Sequence, residues 1–451
     1  MTTGRLRRTH LLWLLIAGAV CLLTFQGRRV LTEHEVFAAE PGREMLAGKG
    51  LLLQPFAGEY RTKKPPGQSW LIAASLGVTR SHSEWAARLP SALAGIGLAL
   101  VVATMAARVG TSRQGLIAGL MTLTCLGVQQ RARLAEADMA LALCVATANA
   151  AVLSGSLPRE YTGEGTRTLA ILFWAAVAFG FLIKGPVVLG FTVLPALVSW
   201  AVLRFGVKNR PAATGVRRVA FWWPAVVGGV LLIALWIVLA LREYPPAWDV
   251  WMHELSRVKG DVGHGEEQRK DPLLAYAWLL PQSTMPWCVF AIFGLATAWR
   301  SRRRPGNVLL ASWGIGSFVL VSLSAFKVLH YILPAVAPVL MLAAVGFDRL
   351  LQRFLAGKSL EKRAGWEGAS LAGWFGVATI AWLIWAAVIV PQKDWGRKSA
   401  RSRNLRRRSS RRTRRFTCIT PATAPAKTRR RGIWPTRCGR QRRCPSSGRR
   451  T

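Results

Sequence analysis

The sequence predicts an all-α polytopic membrane protein, with about eleven transmembrane helices and a large first extracytoplasmic loop carrying interfacial helices. Three observations predict it. Apolar runs of about 17 to 25 residues recur, the length that crosses roughly 30 Å of hydrocarbon. Hydrophobic residues make up 51% of the 451-residue chain and charged residues 18%. The bases gather in short segments between the runs, as positive-inside topology requires. A formal charge of +40 in a soluble chain would indicate nucleic acid. Its placement in inter-span loops and a C-terminal tail reads as topology instead, and no nucleic-acid partner is expected. The seven cysteines are scattered without metal-ligand spacing, so neither a disulfide framework nor a zinc site is indicated.

Arg5, Arg7 and Arg8 precede the first apolar run, His10 to Phe25. No small-residue cleavage site follows, so this run reads as a retained span with a cytoplasmic N-terminus. Residues 28–88 then form the first extracytoplasmic loop. Within it, Trp70 to Val78 is apolar but too short to cross, and reads as a helix lying in the interface. The remaining spans are expected at 89–107, 115–130, 138–156, 168–183, 187–203, 219–241, 273–298, 307–326, 328–347 and 369–391. On this assignment the basic segments 108–113, 204–218, 300–304 and 348–363 are cytoplasmic. Counting 68–80 as a span would put them outside, which the positive-inside rule rejects. Residues 1–392 are therefore expected to form one transmembrane domain.

Residues 393–451 differ in kind. No acid follows Asp394, and arginine and lysine number 21 between Arg397 and Arg450. At face value this is a disordered basic tail. A shifted reading frame or aberrant end in place of the true C-terminal part is the preferred reading, because arginine is disfavoured on the side of the membrane where the tail would sit.

The stretch from Glu33 to Trp70 is the densest in groups able to do chemistry, and residues 131–138, Lys184 and 242–271 fall on the same membrane face. Ionisable residues at span ends are functional candidates. Five blocks carry a family resemblance: REMLAGKGLLLQPFAGEYRTKKPPGQSW, EWAARLPSALAG, RARLAEADMALAL, FLIKGPVVLG and SAFKVLHYILPAVAPVLML. In this order, over about residues 28–350, they resemble the bacterial polyprenyl-phosphate-dependent glycosyltransferases. That is the family of the aminoarabinose transferase of lipid A, related to protein O-mannosyltransferases. The resemblance implies the GT-C architecture, in which a first external loop covers a cavity between spans. A sugar would pass from a polyprenyl phosphate to a cell-envelope acceptor, a lipid A-like glycolipid or a protein, at the extracytoplasmic face of the inner membrane. No nucleotide sugar is needed, and no nucleotide-binding motif is present.

Such chemistry needs cations for the leaving phosphate and a carboxylate for the acceptor. Glu35 is the leading carboxylate. The family pattern has an Asp-Glu pair where this chain reads His34-Glu35, with Glu33 beside it, so the base would be Glu33 or Glu35 or neither; both also read as solvated loop charges. Lys64, before Pro65-Pro66, matches the family lysine that contacts lipid phosphate, and anchoring to anionic lipid is its plainer reading. Asp138 matches the second-loop aspartate, and equally suits a helix N-terminus. Arg131 and Arg133 are neighbouring phosphate candidates. Lys184, in a KGP break between two apolar runs, is costly there without a partner and matches the family's KG lysine. His253 and Arg257 resemble the family's histidine and arginine before the next span. Lys327 and Tyr331 match the late SK…YILP block as weaker candidates. Lys63 stands where some members place a metal-binding Glu, so no metal ligand is carried over, although a divalent metal stays open. The competing readings are a lipid-handling or transport protein without catalysis and an inactive remnant of the enzyme.

Overall fold

A computed structural model describes residues 6–158, 165–258, 272–324, 327–357 and 360–389. The basic tail lies outside the described residues. The chain is a multi-pass membrane protein, built almost entirely of helices.

Eight of the expected spans coincide with helices long and apolar enough to cross a membrane. In chain order, α1 is Arg8–Leu23, and α2, Glu33–Leu46, begins the first loop. A small antiparallel hairpin follows, β1 Gln54–Phe56 and β2 Glu59–Arg61. Its two-residue turn, Ala57-Gly58, has positive φ at both positions, as a primed turn requires. Then come α3 Gly67–Thr79, α4 Glu84–Val109, α5 Ser112–Thr124, α6 Leu126–Arg131 and α7 Asp138–Ser156. They are followed by α8 Thr166–Lys184, α9 Val187–Gly206, α10 Arg210–Ala220, α11 Trp223–Glu243 and α12 Ala247–Val258. The last set is α13 Ala275–Thr284, α14 Cys288–Arg300, α15 Pro305–Ser322, α16 Leu329–Leu355 and α17 Leu360–Ile384. Trp70 to Val78 falls within α3, which at 13 residues is too short to cross.

The other three expected spans differ from continuous helices. The first is the shorter helix α1. The run at 115–130 is interrupted at Cys125, whose backbone is extended (ψ 152°). The run at 273–298 bends by 106° between α13 and α14, where Pro286 lacks the N–H that would continue the ladder. The two breaks satisfy each other, since backbone groups freed inside a membrane need partners. The Leu126 N–H donates to the Met285 carbonyl at 2.9 Å, and the indole of Trp287 donates to the Thr124 hydroxyl at 3.0 Å. Hydropathy reads both segments as continuous because it does not register such exchanges.

The centre of the molecule is α7, packed against α4, α8 and α10. The first loop sits over one end of these helices, with α2 on α3 and α3 against α4 and α8. Tryptophans fasten it. The indoles of Trp70, Trp236 and Trp251 donate to the carbonyls of Leu51, Leu52 and Thr62 at 2.7, 3.0 and 2.8 Å. An aromatic belt accounts for tryptophans near span ends, but these three act as specific latches.

Candidate functional site

Two charged groups form where the first loop meets the spans. The Glu35 carboxylate is fully paired. Thr32 and Glu35 make a reciprocal capping box at the start of α2. The buried carboxylate accepts from Arg88 Nε at 2.7 Å and Arg88 Nη2 at 3.2 Å. It also accepts from Arg29 at 3.0 Å, the Thr32 N–H at 2.8 Å and the Ala135 N–H at 3.0 Å. Burial pushes this carboxyl up, but the Arg88 hydrogen bonds and charge, with the Thr32 and Ala135 amides, leave it below the ordinary range. The bond to Ala135 ties the loop after α6 to the first loop. An adjoining cavity of only about 40 Å³, lined by Arg29, Arg88 and Arg133 among others, has room for a water rather than a sugar. Glu33 is exposed in the first turn of α2.

The second group draws on four segments. Lys184 closes α8, where Gly185 (φ +75°) leaves the helix in a conformation other residues adopt at a cost and Pro186 precedes α9. Its ammonium lies 2.5 Å from Asp138 Oδ1 and 4.8 Å from the centre of the Tyr331 ring. Asp138 opens α7 and is buried, so the helix dipole also favours its charge. His330 Nε2 approaches its other oxygen at 4.0 Å. Arg131 pairs with Glu136 at 2.8 Å.

Lys64 completes the group from the first loop. It keeps open surface, yet protein crowds it enough that burial lowers its pKa. Lys184 lowers it further, with Asp138 and Glu136 opposing. Burial likewise raises the Glu136 carboxyl, with Asp138 adding to the rise and Arg131 opposing it.

The chain folds this way locally for identifiable reasons. The Pro65 carbonyl accepts from Gln54 of β1 at 2.9 Å, and the Arg61 guanidinium stacks 4.5 Å over Phe37. Gly67, at the start of α3, lies so close to α8 that a Cβ there would be 2.6 Å from the Leu182 carbonyl oxygen. Only a hydrogen atom at position 67 lets the Lys64 turn reach the Lys184 end of α8.

Lys64, Arg131, Asp138, Lys184 and Tyr331 are thus brought together, and Glu35 and Arg133 bind elsewhere. Arg133 is buried and donates to the carbonyls of Thr24 (2.7 Å) and Cys21, closing the end of α1. Burial lowers its pKa to about 10. Lys327 donates to the Ser324 carbonyl. His253 is exposed on α12, and the Arg257 side chain lies outside those described. Among the described residues no group of three or more His, Cys, Asp and Glu is arranged to hold a metal. Glu136 and His330 do not stand out in the sequence, although both lie inside blocks that carry the family resemblance, Glu136 two residues before Asp138 and His330 next to Tyr331.

Residues 63–239 match the family model of dolichyl-phosphate-mannose-protein mannosyltransferase. An undecaprenyl phosphate-α-4-amino-4-deoxy-L-arabinose arabinosyl transferase of Sodalis glossinidius is 29% identical over 74% of this chain and 59% of its own length. The transferase of that name from Aeromonas salmonicida is 28% identical over 80% and 62%. ArnT from Cupriavidus metallidurans, solved with undecaprenyl phosphate bound, superposes with a TM-score of 0.66 at 23% identity, over 85% of this chain and 72% of that one. The chain has the GT-C fold. It spans about three fifths of the length of the curated relatives it matches.

Proposed function

We propose that the chain is a GT-C glycosyltransferase that moves a sugar from a polyprenyl phosphate to a cell-envelope acceptor on the extracytoplasmic face of the inner membrane. The observation that carries this is the convergence of Lys64, Arg131 and Lys184, from separate segments, on the carboxylates of Asp138 and Glu136. The similarity to transferases named for an undecaprenyl-phosphate aminosugar supports the donor class.

In this reading the cations hold the donor phosphate at the level of the lipid headgroups. The anomeric carbon–oxygen bond to phosphate breaks, and the negative charge that develops on the leaving phosphate is met by the ammonium groups. An acceptor oxygen forms the new glycosidic bond and gives up its proton to a carboxylate. Asp138 and Glu136 are the carboxylates beside the clamp. Asp138 holds Lys184 until phosphate competes for that lysine. Glu35, with both oxygens committed, positions the loop that carries Glu136 and Asp138. The divalent metal left open by the sequence has no assigned ligands in this reading.

The test is transfer of labelled sugar from a polyprenyl-phosphate donor to an envelope fraction by purified protein, beside Lys64→Ala, Lys184→Ala and Asp138→Asn. Transfer by the wild type and its loss in folded variants supports the clamp, and the labelled product identifies the acceptor. Undiminished transfer in the lysine variants would sink the assignment.

A further inference from the structure

The end of α7 remote from Asp138 carries a second polar concavity. A cavity of about 460 Å³ opens between α7, α8 and α10, lined by Ser154, Thr166, Leu169, Arg210, Thr214 and Arg218, among others. Its volume lies in the range of small-molecule sites. It exists because α10, a short helix with one apolar and one basic face, is pressed onto α7. A Cβ on Gly215 would meet the Gly155 carbonyl oxygen at 1.8 Å, so the two backbones touch at this glycine pair. Ala212, Ala213, Val216, Val219 and Ala220 of α10 are buried. Arg210, Thr214 and Arg218 recur every four residues and so share one face, which is turned to the cavity. A third guanidinium reaches the wall from the last turn of α4, where Arg108 donates to the Ser154 hydroxyl.

Depth in the membrane follows from helix length. The helices α7 and α8 each have 19 residues, about 28 Å at 1.5 Å per residue. One end of each belongs to the Asp138–Lys184 group and the other to this cavity. The cavity therefore faces the opposite leaflet, at the height of its headgroup phosphates. An apolar path leaves it: Leu172, one turn beyond Leu169 on α8, is 44% exposed. Guanidinium forks and hydroxyls at the mouth suit a phosphate, and the apolar flank suits acyl chains.

We propose that this pocket holds the phosphate headgroup of an anionic phospholipid from the leaflet opposite the Lys64–Lys184 group, with an acyl chain along α8. The lipid would brace α10 against α7 and would be no participant in sugar transfer, so the inference stands or falls separately from the catalytic reading.

The experiment is native mass spectrometry of the full chain released from nanodiscs of phosphatidylglycerol and phosphatidylcholine in equal parts. Wild type is expected to retain phosphatidylglycerol selectively. Arg210→Gln and Arg218→Gln are each expected to lower that retention about tenfold, the loss of one charge-assisted phosphate contact. Arg217→Gln makes the same charge change on the same helix at a residue that does not line the cavity, and is expected to leave retention unchanged. Equal losses in Arg217→Gln would reduce the effect to bulk charge and overturn the proposal, as would undiminished retention in both pocket variants. Inorganic phosphate that binds as tightly as the lipid would reassign the pocket to a soluble anion. If one variant fails to fold, the other decides.

Discussion

Glu35 and Asp138 are both buried carboxylates faced by cations, and the Ala135 amide bound to Glu35 lies three residues before Asp138. They differ in how fully they are satisfied. Glu35 accepts five hydrogen bonds, from two arginines and two backbone amides. Asp138 has Lys184 in contact and His330 at 4.0 Å, with Lys64 near enough to feel its charge. A carboxylate saturated by fixed donors can hold two segments together and has no lone pair left for an incoming group. One paired with a single flexible ammonium can release that ammonium to an incoming phosphate. Burial is therefore common to the two acids, and the count of donors is what sets them apart.

Breaking the saturated pair should give the largest effect. Arg88→Ala takes from the buried Glu35 two of its five hydrogen bonds and its buried charge partner, leaving the partly exposed Arg29, and should lower folding stability by roughly 3 kcal/mol, read as the unfolding midpoint in detergent. A drop no larger than that of an exposed arginine variant would erase the contrast between the two groups. Lys184→Ala should lower sugar transfer by about 10²–10³-fold, as loss of one charge-stabilising donor does, with a smaller fall in the unfolding midpoint than in Arg88→Ala, since Lys64 and His330 still face Asp138. If Lys184→Ala instead unfolds the protein, Asp138 belongs with Glu35 as a structural acid.

The pH responses should also diverge. The Glu35 carboxyl titrates below its unfolded value, so its stabilisation is complete above the ordinary carboxylate pKa of about 4 and is lost as pH falls through the lower folded value. Glu35→Gln should flatten that acid limb. The Lys64 ammonium titrates below its ordinary value, so its charge is lost as pH rises through that lowered pKa. Donor affinity should therefore weaken at a lower pH than the ordinary lysine value of about 10.4 would give, and Lys64→Arg should carry the alkaline limb upward. The smallest effect is expected for Trp251→Phe, which removes the hydrogen bond to Thr62. It should cost about 1 kcal/mol, with a modest rise in the donor concentration needed for half-maximal transfer.

What could be read in advance follows from the range of each signal. Eight spans announce themselves as long apolar runs, and Lys64, Asp138 and Lys184 stand out because charge at a span boundary demands a reason. Pairings between distant positions leave no such trace. Nothing in the spacing of Glu35 and Arg88 says that they meet, so Glu35 reads as a catalytic candidate and Arg88 attracts no reading of its own. The break at Cys125 is hidden for the same reason, since its compensation comes from Met285 and Trp287. A hairpin with three-residue strands is too brief for alternation to register. Arg133 looks like a phosphate ligand beside Arg131, and only the folded chain shows it turned toward the carbonyls at the end of α1.

The contact at Gly67 also bears on how the protein is made. Lys64 leaves the ribosome well before Lys184, being 120 positions nearer the N-terminus. A chain inserted only as far as α7 already carries Lys64, Arg131 and Asp138 but has no α8 for the Gly67 turn to rest on. The approach of the Lys64 turn to Lys184 therefore waits on α8, because the Gly67 contact is made with that helix.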